Sequence, residues 1–466
     1  DKETHISRLI SQRNIYPLVK FTYRDRSNII STVNSSVDSY NKSIDFVKWL
    51  WSNYREEGEG WTPPKGSEQS PIRYNFPNAK EKIVQDSKKL YFGHAYGNDL
   101  SEKLFDETYE EIPSPDLFLV SKEKTKSFAD FISKFGVKRF PVIEKQEVSP
   151  LDSYSVKYDK IIKKNGDIGS SSYLRVRYKL PFITHLEDKL KALTTLEVVR
   201  WIHEDYSLKS YLNNPFYSEN AEITYCGNLQ QYYRTYYGQI QNYLLLVFNE
   251  VKWVEIDGKR YAPRQIIKDI NSRNNRRFSD LVPILDAKLI QDMAYSLETE
   301  YNEVLEIMEL FDFCDKVTDL GSDDFYSFML KLPEYDFQKS IDLSKSVYRI
   351  IEQANFTTRY EDSESKNRFF DVGKVLVQYK GKLQYYSAKE SYLPSTKIIS
   401  KQNVPIVEKG QRTNNDNFIR TFGCQQYNKE YSIQKETISE SKSNPNFQHY
   451  FSEFIKYAGA YSERNE

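Results

Sequence analysis

The chain has 466 residues, in which 66 Lys plus Arg balance 66 Asp plus Glu to a formal charge of zero. Single cores stop growing near ~250 to 300 residues, so this length predicts two to four domains, and neutrality argues against wholesale capture of nucleic acid or anionic membrane. The 37 Tyr and 27 Phe provide buriable surface that a disordered chain lacks, while Cys226, Cys314 and Cys424 are too scattered for a disulfide framework or a zinc site.

Taken in chain order, the first strong helical stripe is Ile44, Val47, Leu50, Trp51 and Tyr54, with Ser43 expected as its N-cap. Tyr173–Lys179 alternates like a strand, and Tyr154–Ile162 is its expected hairpin partner. Thr184-His185-Leu186-Glu187 has the form of a capping box, which predicts a helix carrying Leu186, Leu190 and Leu193. Thr194 and Glu197 repeat that form ahead of Leu196, Val199, Ile202 and Tyr206.

A face through Tyr233, Tyr237, Ile240, Leu244, Val247 and Val251 predicts a helix of about five turns. Its apolar run, Tyr243–Phe248, is far shorter than the ~20 residues a membrane-spanning helix needs, so no membrane partner is expected. Hairpins are expected at Asp257-Gly258, between Trp253–Ile256 and Arg260–Ala262, and at Lys380-Gly381, between Lys374–Tyr379 and Leu383–Ala388. Further helical stripes run through Leu297, Tyr301, Val304, Met308 and Phe311, through Phe325, Phe328, Met329 and Leu332, through Leu343, Val347, Ile350 and Ala354, and through Phe447–Ala458. The pattern is that of an α+β protein of short antiparallel hairpins packed with helices, in modules 1–150, 151–355 and 356–466.

Chemistry leaves few marks. His185 is placed by helix geometry at the first position of its helix, and the neighbours His203, Glu204 and Asp205 point in different directions on a helix. His94 lies in Phe92-Gly93-His94-Ala95-Tyr96-Gly97-Asn98-Asp99, which lacks the Gly-Lys-Ser/Thr of a phosphate loop and reads as a turn. No Gly-x-Ser-x-Gly occurs, and Cys226 follows Thr224 and Tyr225 in an apolar setting. No catalytic or metal-ligating residue is assigned. One local charge anomaly remains: Arg264, Lys268, Arg273, Arg276 and Arg277 put five cations into one stretch, enough to clasp the phosphates of DNA or RNA.

Several stretches carry a family resemblance. Trp253-Val254-Glu255-Ile256-Asp257-Gly258-Lys259-Arg260-Tyr261-Ala262-Pro263 resembles the tryptophan, Asp-Gly-Lys and proline segment that follows the ATPase in large sacsin-like proteins of the GHKL, or Hsp90-type, class. Phe370–Val377, Tyr385-Tyr386 and Thr421-Phe422-Gly423-Cys424 resemble that region's later signature, and Ile183–Trp201 its Thr-His-Leu-Glu helix. The resemblance runs from roughly Lys122 to Ile433. It implies a companion N-terminal ATPase that would hold ATP and Mg; neither the GHKL asparagine motif nor Asp-x-Gly-x-Gly is found here, so no cofactor is expected in this segment. The implied role is a cytoplasmic, non-catalytic interaction and regulatory region of a chaperone-like or bacterial antiviral defence protein, with protein partners or other domains of the same chain. A start at Asp1 fits such a segment. The alternative is a nucleic-acid-binding or processing module of an anti-phage system, built on the basic stretch.

Overall fold

A computed structural model describes residues 23–56, 61–67, 70–148, 173–214, 216–217, 222–226, 240–270, 275–353, 362–394, 404–408 and 415–426. The architecture is α+β, with short sheets of two or three strands set among helices. Two compact units divide the chain, Asp1–Phe248 and Asn249–Glu466.

In the first unit, α1 spans Tyr23–Ser35 and α2 spans Tyr40–Tyr54. The expected cap is displaced by a turn. Ser39, in extended conformation, accepts the Lys42 N–H, while Ser43 is buried within the helix and donates its hydroxyl to the Tyr40 carbonyl at 2.6 Å. The Ile44, Val47, Leu50, Trp51 and Tyr54 face is buried as expected. Trp51 meets Phe128 and Phe131 edge-on at 5.3 Å each; both belong to the helix Thr125–Ser133. Trp61 stacks on Tyr54 at 5.2 Å and on Phe131 at 5.8 Å, so the unit's first core is largely aromatic.

Between these helices lie β1 (Phe76–Pro77) antiparallel to β2 (Ile83–Val84), and β3 (Leu90–Tyr91) parallel to β4 (Glu110–Glu111). The short α3 (Ser101–Leu104) and then α4 (Thr125–Ser133) follow. A three-stranded antiparallel sheet places β6 (Tyr173–Phe182) between β5 (Glu144–Val148) and β8 (Glu222–Cys226). The expected partner Tyr154–Ile162 lies outside the described residues.

Helices α5 (Leu186–Ala192), α6 (Thr195–Glu204) and α7 (Tyr206–Leu212) complete the layer. The capping box at Thr184 does not form, because His185 adopts a left-handed conformation (φ 54°) ahead of α5 and breaks the geometry a box needs. The box at Thr194 and Glu197 forms in full. The buried face of α6 is Val198, Val199, Trp201 and Ile202; Leu196 is half-buried, and Tyr206, beyond the break at Asp205, is exposed.

The long helix expected from Tyr233 is shorter. Ile240–Gln241 is a strand, β9, paired with β7 (Phe216–Tyr217), and α8 runs only over Tyr243–Glu250. Asn242 resets the chain. Its Oδ1 accepts the N–H groups of Leu244 and Leu245 as an N-cap does, and its Nδ2 donates to the carbonyls of Tyr211 and Asn214. Tyr233 and Tyr237 lie outside the described residues.

In the second unit both predicted hairpins form: β10 (Val254–Ile256) with β11 (Lys259–Tyr261), and β14 (Lys374–Tyr379) with β15 (Lys382–Ser387). Their turns have φ above zero at both central residues, Asp257 51° and Gly258 72°, Lys380 50° and Gly381 75°, the conformation whose twist matches paired strands. A parallel pair, β12 (Ile267–Asp269) with β13 (Ile284–Asp286), was not foreseen.

The stripe from Leu297 to Phe311 is two helices, α9 (Ala287–Leu297) and α10 (Tyr301–Met308), separated at left-handed Glu298 (φ 53°). α11 (Ser322–Lys331), α12 (Phe337–Gln353), α13 (Glu364–Val372), the edge strand β16 (Ile406–Val407) and α14 (Asn415–Phe422) surround a core in which Phe325, Tyr326, Phe328, Val347, Tyr348, Phe369, Leu376 and Phe418 are buried. Ala354 and the stripe Phe447–Ala458 lie outside the described residues. Among those residues, no helix is long and apolar enough to cross a membrane.

Candidate functional site

The basic stretch begins where β11 ends. Pro263 opens a tight turn, Pro263–Gln265; the Ala262 N–H is capped by Gln265 Oε1, and Gln265 Nε2 donates to both carboxylate oxygens of Asp324 at 3.0 and 3.1 Å. Arg264 therefore projects from a fixed turn, and its Nη2 lies 2.9 Å from Asp312 Oδ2. Lys268, on β12, places Nζ 3.3 Å from Asp315 Oδ1. Two of the five predicted cations are thus countered by aspartates that follow α10.

Beyond β12 the chain is pinned by Asn275. Its Nδ2 donates to the carbonyls of Lys268 and Asp315, at 3.1 and 2.8 Å, and its N–H donates to Asp269 Oδ1 at 3.4 Å. Arg273 lies outside the described residues, as does the side chain of Arg276. Arg277 is exposed, its guanidinium carbon 5.0 Å from the Phe278 ring centroid, while Phe278 is fully buried against Phe328. Partial burial, together with the like charge of Arg349, lowers the affinity of Arg277 for its proton. Arg349 belongs to α12, 72 residues further on, so no window of sequence could have joined it to the stretch.

The ground beneath these cations is acidic. Burial raises the carboxyl affinities of Asp319 and Asp324 for protons. Cys314 donates its thiol to the Arg264 carbonyl at 3.1 Å, and burial beside Asp319, Asp324 and Asp315 pushes it up to about 12. A thiol held protonated in this way is no nucleophile.

The other candidates are taken up by local structure. His94 starts a one-turn helix closed by left-handed Gly97, and its Nδ1 bonds Asp99. A Cβ at Gly93 would fall 1.7 Å from Glu111 Oε1, so any larger residue there would push that side chain aside. His203, Glu204 and Asp205 diverge: His203 is exposed, Glu204 faces Arg139 at 3.9 Å, and Asp205 is buried and accepts the Leu208 N–H. His185 sits in its left-handed turn with Nδ1 3.9 Å from Asp188. The side chain of Cys226 lies outside the described residues. Among the described residues, no cluster of three or more His, Cys, Asp or Glu is arranged to hold a metal ion.

Several residues of the stretches that carry the resemblance have packing roles, while Glu255, Lys259 and Val372 are exposed. Trp253 and Val254 are fully buried, and Trp253 meets Phe311 edge-on at 5.2 Å. Phe422 and Cys424 are buried, Gly423 is left-handed (φ 70°) against the ring of Phe370, and Tyr385 bonds Ser344 at 2.8 Å. Compared with known proteins, the chain matches no family model, no curated protein and no solved structure.

Proposed function

We propose that the chain is a non-catalytic interaction and regulatory region of a larger cytoplasmic protein, of the kind that follows the ATPase in sacsin-like GHKL proteins, where it couples nucleotide state to partner binding. One observation carries the reading: several side chains of the stretches that carry the resemblance are used for packing and turns, with Trp253 and Val254 fully buried, Asp257-Gly258 forming a left-handed turn, and Phe422 inside the core that includes Tyr348 of α12. The hairpin and the Phe-Gly turn are then scaffold, and partners read the surfaces they hold in place. The test is a protein carrying the residues ahead of Asp1. A GHKL-type ATPase domain there should bind this chain and change its ATP turnover when the chain is added in trans. A coding sequence without such a domain, or one whose turnover ignores the chain, overturns the proposal.

A second reading, nucleic-acid contact, is favoured by one feature. Arg277 and Arg349 are both exposed, and beside partial burial the like charge of Arg349 weakens the hold of Arg277 on its proton, a repulsion that phosphate would relieve. Arg264 and Lys268 weaken it, each having an aspartate in place of a phosphate. Binding of DNA or RNA that falls with salt and is lost in Arg277→Glu/Arg349→Glu supports this reading; no retardation of either at low salt removes it.

A further inference from the structure

In the first unit, charged residues meet across a seam. Lys103 Nζ lies 2.6 Å from Glu197 Oε1, Arg200 Nη1 3.9 Å from Asp99 Oδ2, Lys189 Nζ 4.0 Å from Asp106 Oδ2, and Arg139 Nη2 3.9 Å from Glu204 Oε2. One side of the seam is the arm 99–106, built around α3, together with Arg139. The other side is α5 and α6.

The order of partners is informative. As the arm runs through Asp99, Lys103 and Asp106, its partners run backwards through Arg200, Glu197 and Lys189, and the signs alternate on both sides. A slip of one helical turn would set Asp99 against Glu197 or Lys103 against Arg200. Like charges would then oppose each other, so the alternation specifies a single register, as it does in paired helices.

Apolar packing and charge meet at the seam. The aromatic core of 30–137 closes without any residue of α5 or α6. Leu100, Leu104 and Phe105 of the arm are buried but stand outside that core, and α3 packs against α5. The arm is therefore the strip by which the aromatic lobe, through Phe105 stacked on Tyr91 at 4.6 Å, holds the helix pair. Apart from Lys189, which is almost wholly buried, the cations of the seam are 32 to 44% exposed, where dissolved ions reach them.

We infer that α5 and α6 dock on the 99–106 arm in one charge-locked register, and that this docking is a conformational switch thrown by ionic strength or by a charged partner that competes for the seam. The helix pair is the moving part; the aromatic lobe is the fixed one.

Hydrogen exchange of the whole chain at about 0.05 and 0.5 M salt tests this, reading peptides 99–106 and 195–204 against 125–133 in the lobe core as internal reference. Salt should speed exchange in the two seam peptides about threefold or more over the reference, since several pairs of this class are screened together. The double variant Lys103→Glu/Arg200→Glu, which sets like charges on two rungs and leaves the Thr194–Glu197 cap intact, should lose or invert that salt response. Equal exchange ratios for the unaltered chain at the two salt concentrations overturn the inference whatever the variant does. So does a double variant that keeps the original salt response.

Discussion

Trp253 shows how a residue that stands out in the sequence can be a structural one. It has no exposed surface, and its neighbour Phe311 packs against it edge-on. Removing so large a side chain from a filled site costs transfer energy and leaves a cavity, so Trp253→Ala should lower stability by about 3 to 5 kcal/mol in urea unfolding. Lys189 presents the opposite case. Its ammonium is buried and its partner Asp106 is 4.0 Å away, too far for a hydrogen bond, so burial lowers its proton affinity. Buried pairs of poor geometry are often improved by an apolar replacement. Lys189→Met should leave the melting temperature unchanged or raise it, whereas Asp106→Asn, which strands the ammonium, should lower stability by about 1 to 3 kcal/mol.

Cys314 yields a pH prediction. Its thiol ionises near 9 when unfolded and at about 12 in the folded chain, so the unfolded state loses the proton first as pH rises. The contribution is fully present below pH ~9 and drains away between about 9 and 12. Thermal melts should fall more steeply with pH above 9 for the native chain than for Cys314→Ala. A parallel decline in both would contradict the assignment.

At the scale of elements, what could be read from sequence was local. Thr194 and Glu197 are three residues apart and form their box; the two hairpins announced themselves through Asp257-Gly258 and Lys380-Gly381. Thr194→Ala should cost about 1 kcal/mol, and a change of several times that size would mean that the cap holds more than α6. Where a distant partner or one backbone angle decides, the sequence is silent. The Thr184 box is undone by the left-handed turn at His185, and the stripe through Leu297 and Val304 conceals the break at Glu298. The helix expected from Tyr233 starts only at Tyr243, because Asn242 bonds to carbonyls some thirty residues earlier. The basic stretch is the same lesson in electrostatics. Asp312 and Asp315, which counter Arg264 and Lys268, are nearly fifty residues away, and Arg349 is further still.

Over the whole molecule, the α+β class was legible because alternating and helical periodicities are distinct, and among the described residues much of the aromatic content is buried in hydrophobic clusters, with Trp201, Phe248, Trp253 and Phe311 buried outside the two largest aromatic groups named above. The proposed function rests on the resemblance alone, several of whose residues pack. That use of side chains underlies the central claim, that this chain regulates or binds and leaves bond-making to another domain. The most direct test is to titrate labelled ATP with Mg into the purified chain and follow its hydrolysis. No saturable binding and no turnover above buffer is the predicted result. Saturable binding with turnover by this chain alone would contradict it.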